Sequence, residues 1–534
     1  MARLAHSRGR AEPDRNLHLM GPLADRTQSE PAAPVRGRAP SLGLRPGVAF
    51  AVAGDGRLTV SVHGTPVARV SGLSSALSQA LADLESGATS ILDEESLAGE
   101  FARLPQTVRG CVLTAVRLEN RTLALAEPLR AGEPPSAPVA LEPGDLVRSS
   151  RFAYSHRQND ELLVESPVAG ARIIVLDDSL GLLLAATAQA SRVETLERRL
   201  ASVLPAHTVR EILELMLGVR VLEVAERESG EFPSDSDPVL RQWDFHDLLF
   251  HSRSRFGRTA EPFGGIFPHR GRIEPRSAVR ECHAGQLVEL PAPSFDDVLE
   301  RDPSLLMAME TRHSCRTFGE QPLTLDELGE FLFRSARVSA VREPGPGLLY
   351  QASHRPYPTG GAAYELELYL TVRRVAGLEP GSYHYEPDVH RLRRLDTADA
   401  DRDALLAAAS LSAGGDVHPD VLLTITSRFQ RLQWKYRSIA YAVSLKHVGV
   451  LYQTMYLVAS AMSIGACGLG SGDSEASVRA FGLDYLEESS VGEFLLGSAP
   501  SASRPLPSMG EENDQVFPGA DWGFMAARAR GEKA

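Results

Sequence analysis

Strict alternation of apolar and polar residues marks "YELELYLTV" as a strand, with Leu366, Leu368, Leu370 and Val372 on one face. "LTLDELGEFLFRSARV" opens with a capping box, Thr324 and Glu327, and continues at helical spacing. "GSYHYEPDVHRLRRL" reads as a hairpin turning at Pro387-Asp388, and "VLLTITS" and "SVGEFLLGS" as apolar strands. Between the last two lies the most apolar long segment, Val443 to Gly465. Lys446, His447 and Gln453 interrupt it, which predicts a buried helix rather than a membrane span. From 299 to 506 the pattern is therefore α+β.

Two N-terminal stretches look alike. "VAFAVAGDGRLTVSV", "TPVARV" and a helical run are matched by "RFAYSHRQNDELLVES", "ARIIVLDD" and "LGLLLAATAQASRVETLERRL". In each, a hairpin with a polar turn, Asp55-Gly56 or Asn159-Asp160, precedes a third strand and then helices. The offset of roughly 100 residues suits two small domains. Their layout, strands and helices with a terminal β-wing, predicts winged-helix units at 46–132 and 139–226. Pro/Ser/acid-rich linkers follow each unit. Residues 1–45 and 507–534 are expected to be tails, and 227–298 a linker carrying one short helix, "WDFHDLLFHSRSRFGR". His246 and His251 are five apart and do not share a helix face, so no metal site is expected there.

Composition narrows the function classes. The 534 residues are 43% hydrophobic and 23% charged, as in soluble globular proteins. A net charge of −13 opposes general nucleic-acid binding. Cys111, Cys282, Cys315 and Cys467 form no CxxC pair, which argues against a disulfide framework or zinc site and for a reducing, cytoplasmic compartment. Of 56 basic residues only Lys435, Lys446 and Lys533 are lysine. A lysine in this chain marks a place where arginine will not serve, because only lysine is compact and shifts its pKa readily.

Four stretches could carry chemistry. "RHSCRTF" sets Arg312, Ser314 and Arg316 close enough to grip a phosphate, or else forms a solvated loop. "YPTGGAAYE" offers Gly360 and Gly361 for close backbone approach, or a plain turn. "GACGLGSGD" fails GxGxxG and follows a helix, so a Rossmann phosphate loop is not expected. It still offers bare backbone N–H groups to a flat heteroaromatic edge. "WKYRS" carries Lys435 and Tyr436.

In this order, "RHSCRTF", "PTGGAAYELELYL", "GACGLGSGD" and "FLLG" resemble the FMN-dependent nitroreductase fold, and within it the SagB/ThcOx-type azoline oxidases. The resemblance is close from about Trp243 to Pro505, and the N-terminal units look like the peptide-clamp domains fused to such oxidases. It implies a central mixed sheet flanked by helices, and a homodimer with FMN at the subunit interface. Arg312, His313, Ser314 and Arg316 inherit contacts to the FMN phosphate and ribityl chain. Gly360 and Gly361 line the cofactor, Gly470 and Ser471 lie at the isoalloxazine N5/O4 edge, and Arg504 adds a phosphate contact. Lys435 and Tyr436 match the Lys-Tyr pair that simple nitroreductases lack. Its chemistry is loss of an azoline Cα proton to a base, with hydride passing to flavin N5. A tyrosinate beside an ammonium qualifies as base, but which of the two residues acts is open.

The implied partners are a precursor peptide and a cyclodehydratase. The peptide would join a sheet edge by strand addition, with the second N-terminal unit favoured for its longer apolar strand. Two alternatives are a general NAD(P)H-dependent nitro or quinone reductase and a non-catalytic scaffold for leader peptide or cyclodehydratase. The Lys-Tyr pair and N-terminal units count against the first. The intact "RHSCR" and Lys-Tyr motifs count against the second.

Overall fold

The computed structural model describes residues 41–84, 95–119, 121–130, 139–259, 262–281 and 284–500, with positions 522, 525 and 529. Arg504 and Cys282 lie outside them. The chain divides into two compact units, 1–242 and 243–534.

In the first unit Val48–Val52, Leu58–Val62 and Thr65–Val70 form a three-stranded antiparallel sheet in that order. The polar turn between the first two puts Gly56 at φ +75°, where a side chain would be strained. Phe50, Leu58 and Val60 pack against Leu77 and Leu81 of the helix Ser75–Asp83. Ser74 caps that helix by accepting from the Leu77 N–H at 3.1 Å. The matching hairpin, Tyr154–Gln158 and Glu161–Glu165, turns at Asn159 with φ +53°.

Strands that flank the first look-alike stretch join the strands of the second in one sheet, apart from the three-stranded sheet of the first stretch itself. The order of the joined sheet is Ser41–Leu44, Val112–Leu118, Arg121–Pro128, Ala171–Val175, Glu161–Glu165 and Tyr154–Gln158. At the join Arg172 stands opposite Glu127 and donates to it at 2.7 Å, both buried. Such a pair fixes register, because a slip would leave a buried charge alone. Ala171–Val175 and Glu161–Glu165 each have a neighbour on both sides, whereas Tyr154–Gln158 ends the sheet and leaves the second stretch an edge open to strand addition. Among the described residues, Val48–Val52 and Thr65–Val70 of the first stretch likewise pair on one side only.

The second unit is built on a seven-stranded sheet in the order Leu287–Glu289, Arg391–Arg394, Gly381–Glu386, Leu366–Val372, Val421–Arg428, Glu488–Gly497 and Gly465–Gly468. Every pairing is antiparallel, so the expected mixed sheet is corrected. The long helix Ala440–Met462 does cross from Val421–Arg428 to a strand of the same direction, Gly465–Gly468. Glu488–Gly497 inserts between those two strands and reverses both contacts. Residues 243–298 supply the short helix Phe245–Arg253 and an edge strand of this sheet.

Leu366, Leu368, Leu370 and Val372 face the helix Leu325–Ala336 and the central helix Ala440–Met462, meeting Leu328, Phe331, Leu451 and Met455. The alternate positions are buried as well, since Tyr369 packs on Phe481 and Leu405 on the other side. Glu367 is consequently enclosed, 3.3 Å from both His384 and Arg428. Burial raises its pKa, but the His384 bond and the Arg355 and Arg428 charges outweigh this and bring it down to about 2. A folded pKa below the unfolded one means stabilisation that is complete above about pH 4.3 and lost as pH falls towards 2. Glu367→Gln is expected to cost about 3–5 kcal/mol at neutral pH and to flatten that acid dependence. Urea unfolding at several pH values measures both.

Among the described residues no helix is long and apolar enough to cross a membrane, and no cluster of His, Cys, Asp and Glu suits a metal.

Candidate active site

The central helix is the spine on which the chemical motifs are strung. Its C-terminal half meets "RHSCRTF". Arg312 sits over the Tyr456 ring at 5.2 Å, and Ser314 Oγ lies 2.9 Å from the Tyr456 hydroxyl. That hydroxyl also accepts from the Gly468 N–H at 2.7 Å, while the Cys315 N–H donates to the Ala466 carbonyl at 2.8 Å. The arginine stretch is thereby tied to the edge strand that leads into the glycine loop. The Gly497 backbone allows this approach, since a Cβ there would lie 2.5 Å from Phe318. His313 is exposed, with Nδ1 3.1 Å from the Thr311 carbonyl. Arg312 is half-buried and Arg316 exposed, and neither forms an ion pair with a described residue. Two guanidiniums four residues apart, with no counter-charge among the described residues, suit an anion.

Midway along the helix, Leu445, Val448, Gly449 and Tyr452 face the loop Leu469–Gly472 across a cleft of about 370 Å³. Gly470 and Ser471 stand exposed on its rim, and Ser471 Oγ is 3.1 Å from Ser412 Oγ. Glu493 closes the floor. Burial pushes its carboxyl pKa up, against a smaller pull from Ser490.

The N-terminal half of the helix meets the other two motifs, which the fold brings together. Lys435 and Tyr436 follow the short helix Gln430–Gln433. That helix is pinned by buried Arg431, which donates to the Ala363 and Gln351 carbonyls at 2.9 Å. The Phe267 N–H donates to the Lys435 carbonyl at 3.0 Å, so residues from the expected linker also hold this corner. Gly360 lies against Tyr436, where a Cβ would be 3.0 Å from its hydroxyl. Gly361 has φ +65°, and a Cβ there would collide with Lys435 Nζ. Lys435 Nζ is 5.0 Å from the Tyr436 ring centre and donates to the Tyr350 hydroxyl at 2.7 Å.

Two groups at this corner escape a reading of the sequence. Tyr350 stands in a stretch without a motif. His447 is visible only as a polar interruption of the apolar helix; it accepts from the Gly360 N–H at 2.8 Å and lies 2.7 Å from buried Glu365. A main-chain amide only donates, so Nε2 is the acceptor and Nδ1 carries the proton toward Glu365.

His447 and Tyr456 are nine residues apart on one helix, or roughly 14 Å. The glycine–lysine–tyrosine corner and the arginine pair therefore do not touch. The cleft lies between them along the helix.

Residues 309–498 match the nitroreductase family model, and 147–260 match that of the cyanobactin oxidase ThcOx. A protein of Methanocaldococcus jannaschii named as a nitroreductase is 27% identical over 187 residues, which is 35% of this chain and 86% of its own length. The microcin B17-processing protein McbC of Escherichia coli is 30% identical over 24% of this chain and 46% of its own length. The trifolitoxin-processing protein TfxB of Rhizobium leguminosarum is 30% identical over 26% and 34%. The chain thus spans less than half the length of each processing protein.

Proposed function

For a nitroreductase-fold chain of the SagB/ThcOx type, we propose FMN-dependent oxidation of azoline rings to azoles in a ribosomally made precursor peptide. The observation that carries this reading is the meeting of Lys435 and Tyr436 with the Gly360–Gly361 loop at one end of the central helix, remote from the two unpaired arginines. The processing names of two relatives support a peptide substrate.

Arg312, Arg316 and Ser314 would hold the FMN phosphate, and the cleft rimmed by Gly470 and Ser471 would take the rings. When bound, FMN supplies a hydride acceptor at N5, and molecular oxygen can reoxidise it. The chain's part is the proton. Conversion of azoline to azole removes one ring proton and one hydride, so a base must stand at the Cα–H. Lys435 and Tyr436 are the candidates, and the Gly360 backbone lies so close to the Tyr436 hydroxyl that a Cβ there would be 3.0 Å from it. The half-exposed apolar side of the central helix, including Tyr441 and Leu445, fits a homodimer contact. Incubation of the flavin-loaded chain with an azoline-bearing peptide tests the reading, with loss of two hydrogens per ring expected by mass spectrometry. An unchanged peptide mass would reject it.

The peptide is further proposed to add to Tyr154–Gln158, the edge strand of the second stretch, whose outer side is unpaired among the described residues. Hydrogen exchange with precursor peptide present should show slowed amides in 154–158 and unchanged amides in 65–70. The reverse pattern would move the docking site to Thr65–Val70 of the first stretch, whose outer edge is also unpaired among the described residues.

A further inference from the structure

The geometry around Lys435 bears on which of the Lys-Tyr pair is the base. We propose that Tyr350 is a positioning residue that holds Lys435 as a charged hydrogen-bond donor, leaving Tyr436 to take the azoline proton. This rests on the azoline-oxidation reading.

The Tyr350 hydroxyl donates its single proton to the Gly361 carbonyl at 2.5 Å. It then has only lone pairs to offer Lys435 Nζ, 2.7 Å away. Nζ must therefore be the donor in that bond. A neutral amine would also present a lone pair, which the Tyr350 hydroxyl, its one proton already given to Gly361, cannot fill. An ammonium has no lone pair to leave unmatched, and it gains from the faces of two rings. Nζ is 5.1 Å from the Tyr350 centroid and 5.0 Å from that of Tyr436. Burial opposes charge on Lys435, but the bond to Tyr350, aided by Tyr436, outweighs it and raises the lysine pKa.

The Gly361 carbonyl is itself held in place. Gly361 lies at φ +65°, and the preceding amide is fixed by His447, which is backed by Glu365. Orientation thus passes from Glu365 through His447 and the glycine loop to Tyr350 and on to Lys435. The charged or titratable groups around this corner are Arg431, 6.0 Å from the Tyr350 ring centre, the His447–Glu365 pair, and Tyr436. No carboxylate pairs with Lys435 among the described residues. Lys435 is then a fixed positive charge without an anionic partner, ready to face the negative charge that develops as the proton leaves. A lysine so held has no free pair with which to accept that proton, whereas Tyr436 as a tyrosinate has an oxygen lone pair to offer and becomes the neutral phenol on taking it.

The chain's three lysines make a direct test practical. Trace labelling of the full-length protein with acetic anhydride from pH 7 to 12, followed by peptide mass spectrometry, gives a reactivity midpoint for each lysine. In the wild type the Lys435 midpoint should lie above that of exposed Lys446. In Tyr350→Phe it should fall by about one pH unit, a tenfold change in proton affinity. Altered packing alone would change the limiting rate at high pH and leave the midpoint in place. A wild-type midpoint at or below that of Lys446 would overturn the proposal without any variant, and so would an unmoved midpoint in Tyr350→Phe. Azole formation by the wild type is scored separately. If the midpoints behave as expected but no azole forms, the parent reading and the base assignment fall together, while the Tyr350–Lys435 coupling stands.

Discussion

Tyr436→Phe is expected to slow azole formation by about 10²–10⁴ while leaving the protein folded and yellow. The substitution removes one hydroxyl. The ring it keeps packs on the Gly265 backbone, where a Cβ would be 3.5 Å from Cε1, so the local structure should persist. Lys435→Arg is expected to be damaging too, although the charge is kept. Lys435 Nζ fits between the Tyr350 hydroxyl and the Gly361 backbone, and a planar fork is bulkier and directs its donors differently. If Lys435 were only a surface cation, that change would be silent in a chain that otherwise uses arginine almost everywhere. Initial rates on an azoline peptide, with flavin content read by absorbance, measure both variants. Near-wild-type rates in both would reject the Lys-Tyr chemistry.

The double variant Arg312→Ala with Arg316→Ala is expected to purify colourless and folded. Neither arginine forms an ion pair with a described residue, so their removal strands no buried partner. The stability change should stay within about 1 kcal/mol. Each hydrogen bond to a charged group is worth about 1.5–3 kcal/mol, so losing two should weaken FMN binding by roughly 10²–10⁴. Flavin absorbance relative to protein, together with Tm, separates lost binding from lost folding. Full flavin occupancy would remove the phosphate role from this stretch.

Much of the second unit was legible because its elements are strongly patterned. The capping box at Thr324 forms as expected, with Glu327 bonding back to the Thr324 N–H at 2.8 Å. The strand Leu366–Val372 presents the expected apolar face, but alternation could not reveal that Glu367 on the other face is enclosed under a second layer. Sheet order was not legible either. The insertion of Glu488–Gly497 between two strands, and the join between Arg121–Pro128 and Ala171–Val175, depend on pairings remote in sequence. Lys435 stood out through the scarcity of lysine, whereas its partner Tyr350 lies 85 residues away and has no local signature. His447 was noticed as an interruption of an apolar helix, and only the fold assigns it to the Gly360 amide.

Anaerobic mixing of the flavin-loaded chain with an azoline-bearing precursor peptide, with absorbance and peptide mass followed in the same sample, tests the central claim most directly. The account predicts that flavin bleaches as each ring loses two hydrogens, one flavin per ring, with no nicotinamide present. Flavin that bleaches only with NAD(P)H, while the peptide mass stays unchanged, would contradict it and point to a general reductase.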